Sequence, residues 1–354
     1  MKVAITGIIG VSKGYGGFET LAENLIGDGS PITTVYCSTP YFGERIKYYK
    51  NTHLVYIPLK SKGLTKVLHT ALSMFHAGIS GHDKLLLLGV SGGFVLPLIR
   101  LLFPKMHVIT NIDGLEWKRG KWSFFTRKIL KLLEYLCCNF SHEIVADNAV
   151  LVEYVRSNYG FNPVEIAYGG DQALAGNTES GPKSETFNAF SLCRIVPENN
   201  VSMILQAFAI SQKRLTFVGN WNDSDYGLKL KDQYSKLPNI EILDPIYDNH
   251  SLYKLRSKCH VYVHGHSVGG TNPALVEMMH FGKPIYAFNC NYNIATLESN
   301  GQFFSSSEEL ACLIKNHSRL EINCGDEIKK IAIKRYTWKI IRSEYFSLIG
   351  NANV

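Results

Sequence analysis

The chain has 354 residues, 45% of them hydrophobic, with a formal net charge of +7. That suffices for two domains with separate cores. The charge is too weak to argue for nucleic acid, and it suits an anionic substrate or an anionic membrane surface. The eight cysteines show no C-x-x-C pair and no zinc spacing, which reads as reduced thiols filling the core of a cytosolic protein.

Residues 2–7 (KVAITG) read as a first buried strand, and the N-terminal apolar run is too short and interrupted for a signal peptide. The loop 8–18 carries Gly10, Gly14, Gly16 and Gly17, and 19–26 (ETLAENLI) has helical spacing. The loop fits G-x-G-x-x-G poorly, and no acidic residue follows the second strand (33–37), which argues against a nicotinamide site. What remains is a loop where another molecule, an acceptor or a donor phosphate, approaches the backbone at Gly16 and Gly17. Further strands are expected at 53–58, 84–89 and 107–111, the last followed by Asp113. Residues 85–103 approach the length of a membrane span, but Gly89, Gly92, Gly93, Pro97 and Arg100 favour a strand, a turn and a core helix. Two basic stretches stand out. One is 60–75, with Lys60, Lys62 and Lys66. The other is 117–131, where Lys118, Arg119, Lys121, Arg127, Lys128 and Lys131 alternate with Trp117, Trp122, Phe124 and Phe125. The second reads equally as an interfacial segment or as a solvated helix face with its aromatics in the core.

A strand at 141–146 and a helix to 159 lead to Tyr168-Gly169-Gly170-Asp171, and the small, polar run 174–188 reads as a linker. A second series follows: a strand at 189–193 ending in Arg194, a helix over Val201–Ser211, a strand at 215–218 and a loop with Gly219 and Asn220. Then come a strand at Ile240–Leu243, a helix at 252–257 and a strand at Val261–His264. Residues 264–277 (HGHSVGGTNPALVE) read as strand, glycine loop and helix, with Asn272-Pro273 as the helix start. Unpaired N–H groups and the helix dipole suit a diphosphate, and Glu277, one turn inside, reaches a sugar hydroxyl. The bland alternative is an ordinary strand-to-helix turn. His264 and His266 flank the loop, as phosphate or sugar contacts or as core residues. Trp221 stacks on a base or is simply packed. A strand at 284–288 and a helical, aromatic tail at 328–349 close the chain.

Two series of alternating strands and helices predict an α/β protein with two doubly wound, Rossmann-like domains facing across a cleft, with ligands at the carboxyl ends of the strands. The expected division is 1–172, a linker at 173–188, 189–325, and a C-terminal helix at 326–354 packing back on the first domain.

Six ordered segments carry a family resemblance: GIIGVSKGYGGFETLAENL at 7–25, TNIDGLEWKRGKW at 110–122, YGGD at 168–171, CRIVPENNVSMILQAF at 193–208, FVGNW at 217–221 and GHSVGGTNPALVEMM at 265–279. Together the chain resembles the GT-B glycosyltransferases, specifically the large retaining family of bacterial surface-polysaccharide synthesis and its rhamnosyltransferase-type group. The resemblance implies transfer of a sugar from a nucleotide diphosphate with no metal and no cofactor. It favours dTDP-L-rhamnose as donor and an undecaprenyl-diphosphate-linked saccharide as acceptor, at the inner face of the bacterial plasma membrane. A UDP-hexose donor, an epimerase or hydrolase of the same fold, and a non-catalytic glycan-binding subunit are the alternatives.

The same resemblance assigns residues. An Arg and a Lys five positions apart usually hold the diphosphate; here Arg194 matches the Arg and Asn199 stands in place of the Lys. Of two glutamates separated by seven residues, Glu277 matches the ribose-binding one and Gly269 falls where the other would be. Gly16, Gly17, Gly219, Asn220, His266, Gly270, Thr271 and Asn272 complete the expected donor site. Asp113, Glu116, Tyr168 and Asp171 are the expected acceptor side. Asp113 either orients or deprotonates the acceptor hydroxyl or caps the following helix, with Glu116 as the third residue of a capping box.

Overall fold

The computed structural model describes residues 1–12, 16–120, 122–175, 186–317 and 324–351. Gly14, Lys121 and most of the expected linker, including Gly176, Gly181 and Pro182, lie outside them. The chain divides into two compact units, Met1–Tyr168 with Lys339–Val354, and Gly169–Trp338.

The first unit holds strands β1 (Val3–Thr6), β2 (Ile32–Ser38), β3 (Tyr48–Tyr49), β4 (Thr52–Ile57), β5 (Lys84–Leu88), β6 (His107–Asn111), β7 (Glu143–Ala146) and β8 (Val164–Glu165). Its helices are α1 (Gly17–Leu25), α2 (Leu64–Ile79), α3 (Leu96–Leu102), α4 (Phe124–Phe140) and α5 (Ala149–Tyr159). The sheet order is β3-β4-β2-β1-β5-β6-β7-β8, parallel except for β3. Its strands are short apolar runs, and every residue of β1 and β5 is buried, as a sheet covered on both faces requires. The chain steps one way from β1 to β2 and the other way from β4 to β5, β6 and β7. Right-handed crossovers then place α2, α3 and α4 on one face and α1 on the other. The reversal puts a switch point between β1 and β5. The apolar run 85–103 is strand β5, a turn and α3, and no helix among the described residues is long and apolar enough to cross a membrane.

The second unit has strands β9 (Asn188–Leu192), β10 (Arg214–Val218), β11 (Ile240–Leu243), β12 (Val261–His264), β13 (Ile285–Phe288) and β14 (Gln302–Phe304). They form a parallel sheet in the order β11-β10-β9-β12-β13-β14. Phe190 of β9 pairs with Thr216 on one side and Tyr262 on the other, so the switch point lies between β9 and β12. The helices are α6 (Val201–Ser211), α7 (Asp225–Tyr234), α8 (Asn249–Lys258), α9 (Pro273–Met279), α10 (Asn291–Thr296), α11 (Ser307–Lys315) and α12 (Cys324–Arg335).

The helical tail expected at 328–349 is broken in two: α12 ends at Arg335 and α13 runs over Trp338–Asn351. The reason lies in long-range hydrogen bonds made at the break. The Tyr336 carbonyl accepts from the Gly170 N–H (2.8 Å) and from His280 Nε2 (2.9 Å). Asp171 Oδ1 takes the Trp338 N–H at 2.7 Å. Those bonds stop one helix and start the next. In the first unit, buried Lys84 donates to the Ile349 carbonyl near the end of α13, where a cation complements the helix dipole.

Candidate functional site

In the second unit, the loops leaving β9 and β12 are stitched together. Asn200, in a left-handed conformation (φ 48°), donates from Nδ2 to the Gly265 carbonyl at 2.9 Å. Ser267 donates from its N–H and its hydroxyl to the Glu198 carbonyl, at 3.0 and 2.8 Å. A Cβ on Gly265 would stand 2.1 Å from the Asn199 carbonyl oxygen, so only glycine permits this approach.

The pair that departs from the family pattern falls in this stitched region. Asn199 is buried; its Nδ2 donates to the Arg194 carbonyl (2.7 Å) and its Oδ1 accepts from His266 Nδ1 (2.8 Å). Since the amide N–H must face the carbonyl, the Asn199 oxygen faces the ring, which assigns the ring proton to Nδ1. The expectation that Asn199 touches the donor is corrected: its amide holds Arg194 and His266 in place. The Arg194 side chain is exposed at the end of β9 and makes no ion pair among the described residues. Gly269 has φ +136°, and a Cβ there would stand 3.0 Å from His266 Nε2.

The helix start at Asn272 is as expected, with Pro273 at its first turn and Asn272 Oδ1 accepting the Ala274 N–H at 3.0 Å. The Leu275 and Val276 N–H groups go to the Asn272 carbonyl. The first turn is therefore largely satisfied, and α9 is short. This shifts the anion donors expected of the helix itself to the loop, where the N–H groups of Gly269, Gly270 and Asn272 donate no hydrogen bond among the described residues. Thr271 is buried beside them. Glu277 points from α9 to two protein partners. Its Oε2 pairs with the buried Arg256 of α8, and its Oε1 accepts from Gln172 Nε2 at 2.8 Å. Gln172 Oε1 in turn accepts from Trp338 Nε1 at 2.6 Å. A Cβ on Gly170 would stand 2.6 Å from the Val276 backbone, so Gly170 packs directly on α9.

The other expected site residues are placed as follows. Asp171 Oδ1 accepts the first N–H of α13, which gives this side chain an anchoring role in the fold. Gly219 lies where a Cβ would strike Ile195 Cδ1 at 2.5 Å, so close packing requires glycine here; the neighbouring Asn220 is exposed. Trp221 is fully buried, with Nε1 donating to the Leu243 carbonyl at 3.0 Å, so it is core. His264 is likewise a core residue, and burial holds its imidazole well below the usual range.

In the first unit, Asp113 follows β6 with φ 60°, a conformation that costs an L-residue energy. Its N–H donates to Asn111 Oδ1 (3.0 Å), and Asn111 Nδ2 donates to the Tyr345 hydroxyl of α13 (2.7 Å). Burial pushes the Asp113 carboxyl up, against the pull of the Gly114 N–H and Arg119. Asp113 caps no helix: the next turn, Glu116–Lys118, has Leu115 at its cap. Glu116 is engaged by Trp122 Nε1 (3.1 Å) and Arg119 (2.8 Å). Tyr168 is buried, with its hydroxyl pushed far up by burial and by the Asp113 and Asp147 carboxyls. Phe18 lies 6.5 Å from it, ring to ring. The glycine loop before α1 is held by carboxylates. Glu19 Oε1 accepts the Ile9 N–H and Glu23 Oε2 the Ser12 N–H, each at 2.9 Å. A Cβ on Gly16 would meet Glu19 Oε2 at 2.6 Å. A phosphate at Gly16 and Gly17 would meet negative charge, so of the two occupants expected there the donor phosphate is the one disfavoured.

Residues that the sequence reading passed over are Arg256 and Gln172, which fix Glu277, and Asn111, Tyr345 and Asp147 around Asp113. No signal pointed to Arg256, one of several cations on a polar helix.

Residues 84–171 match a domain of unknown function, DUF1972, and residues 177–320 match the family Glycosyl transferases group 1. No curated protein matches the sequence. Among solved structures, sucrose-phosphate synthase from Thermosynechococcus elongatus is 14% identical, with 99% of each chain covered and a TM-score of 0.79. Anabaena HepE in complex with UDP is 14% identical over 99% of this chain and 100% of that one, with a TM-score of 0.74. A glycosyltransferase from Rickettsia africae is 13% identical over 98% and 97%, with a TM-score of 0.69. At such identities the likeness is one of fold. The chain therefore has the two-domain GT-B glycosyltransferase fold, with the match to glycosyl transferases group 1 lying in its second unit.

Proposed function

We propose that the chain is a metal-independent, retaining hexosyltransferase that moves a sugar from a nucleotide diphosphate to a lipid-linked saccharide. The favoured donor is dTDP-L-rhamnose, and the favoured acceptor is an undecaprenyl-diphosphate-linked glycan at the inner face of a bacterial plasma membrane. One observation carries it: at the switch point between β9 and β12, Arg194, His266, the unpaired N–H groups of Gly269, Gly270 and Asn272, and the fixed carboxylate of Glu277 share one pair of strand ends. Arg194 and the loop N–H groups meet the leaving diphosphate, the main electrostatic task of such a transfer. Glu277 has lone pairs left for ribose hydroxyls after its bonds to Arg256 and Gln172. Asp113, with its raised carboxyl, takes the acceptor proton, and Asn111 and Tyr345 position it.

A UDP-hexose donor is the second reading, favoured by the likeness to HepE, whose structures include a complex with UDP-glucose (15% identity, 99% of each chain, TM-score 0.71). Calorimetric titration with dTDP-L-rhamnose, UDP-glucose and GDP-mannose separates the two. Binding of none of them refutes the proposal. Nucleotide release without acceptor replaces transfer by hydrolysis or epimerisation. Donor binding with no turnover on lipid-linked glycans leaves a binding subunit. Anomeric analysis of the product tests retention.

A further inference from the structure

Most of the chain's exposed large apolar side chains, among the described residues, lie on α2, α3, α4 and the turn before α3. On α2, Leu64 (89% exposed), Leu68 and Leu72 recur every four residues, one stripe along one side. Leu101 of α3 is 75% exposed, and Phe125 at the start of α4 is 76% exposed, with Ile129 one turn on. These helices pack side by side, α2 on α3 and α3 on α4, on the same face of the sheet. The exposed side chains therefore gather on three neighbouring helices on one side of the sheet, an apolar grouping of the kind that marks an interaction face.

The charges of this surface have one sign. Residues 59–79 and 84–106 contain no Asp or Glu, and the only one in α4, Glu134, is buried and accepts from Tyr154 and Tyr159. Exposed Lys60, Lys62, Lys105, Lys128 and Lys131 lie on or beside the three helices. We infer that this three-helix surface seats the protein on an anionic lipid bilayer, its leucines and Phe125 in the interface and its lysines on the headgroups. This moves the membrane face away from the stretch 117–131 taken as a whole. Trp117 is half-buried beneath Lys118 and Lys131, and Trp122 is half-buried with its N–H on Glu116, so among the described residues the exposed apolar side chains of this stretch begin at Phe124. A second copy of the chain fits the surface poorly, because a two-fold interface sets each cationic face against its equal. The inference deepens the membrane-bound acceptor reading and does not depend on the donor.

The test is flotation of the full chain with vesicles of phosphatidylcholine alone or with 30% phosphatidylglycerol (roughly the anionic share that gives a strong surface potential), without donor or acceptor. Binding is expected to the anionic vesicles and to fall several-fold in high salt. Leu68→Glu, Leu101→Glu and Phe125→Glu, one on each helix, each lower it at least tenfold, while Tyr247→Glu, exposed on the second unit, does not. All four positions are exposed, so unchanged melting and circular dichroism show that the variants fold. Absence of vesicle binding, or binding unaffected by the three substitutions, overturns the inference. So does a dimer in sedimentation that those substitutions dissociate. Donor titration of the same variants without vesicles reads the transfer proposal separately.

Discussion

The Arg256–Glu277 pair offers the sharpest check on how the second unit builds its site. The Arg256 side chain is 4% exposed and that of Glu277 19%, so removing the cation leaves a largely buried carboxylate with Gln172 as its remaining donor. Breaking a buried pair from one side costs about 3–5 kcal/mol. Arg256 Nε has no partner among the described residues, and Glu277 keeps some access to water, so the lower end applies. Arg256→Met is expected to cost about 3 kcal/mol, little affected by salt. For a unit of this size that lowers the melting transition by about 6–12 °C. The double variant Arg256→Met/Glu277→Leu removes both charges and should be more stable than the single one, because no buried carboxylate remains. Scanning calorimetry with urea unfolding of the four proteins closes the cycle. Donor titration should show Arg256→Met binding more weakly although Arg256 touches no donor, since Glu277 loses its orientation. A cost below about 1 kcal/mol, or a double variant worse than Arg256→Met, would refute the reasoning.

Three further outcomes are expected. Asp113→Asn keeps a residue type that tolerates φ 60° but lowers turnover by about 10²–10⁴-fold, read by product formation at saturating donor. Because burial raises the Asp113 carboxyl, its contribution to stability is full below the unfolded value near about 3.9 and is lost as pH rises through the folded value. The Asn variant should therefore gain on the wild type as pH rises through that window, and urea melts at acid and neutral pH that show it losing ground would count against the assignment. Asn199→Lys, which restores the usual family residue, should weaken donor binding, since it places an ammonium at a buried position and frees both Arg194 and His266; tighter binding by calorimetry would be the contrary result. Gly269→Ala should destabilise by about 1–2 kcal/mol and perturb donor affinity, as its φ of +136° and the 3.0 Å approach to His266 Nε2 both resist a side chain; a neutral result in thermal melts would show the loop to be pliable.

Much of the fold was legible because parallel strands buried on both faces write themselves as short apolar runs: KLLLL of β5 and VYVH of β12 needed no partner to be found. The Asn-Pro start of α9 was equally plain. Elements too short or too polar for periodicity escaped, such as the three residues of β14 and the polar α7 with Gly227 inside it. The break between α12 and α13 was invisible because its cause, the diversion of the Tyr336 carbonyl to Gly170 and His280, joins residues far apart in sequence. The same limit governs the site. Spacing singled out Glu277 and the family resemblance Arg194, but whether a polar side chain faces a ligand or the protein depends on partners that neither reveals. Asp171, Glu116 and Asn199 all have partners within the protein.

His266 is where the two departures from the family pattern meet. Read along the chain, Asn199 in place of a lysine and Gly269 in place of a glutamate are separate losses, one of a cation and one of an acceptor. In the structure they flank one imidazole: Asn199 Oδ1 accepts from Nδ1, and the missing side chain of Gly269 leaves the space beside Nε2. A side chain at 269 would crowd that edge of the ring, and a lysine at 199 would remove the acceptor that fixes its tautomer. The two positions are thus coupled through His266, and restoring either family residue alone disturbs the ring that the other accommodates. Asn199, His266 and Gly269 thus form one packed unit, with the Asn200 and Ser267 bonds holding the two loops in register.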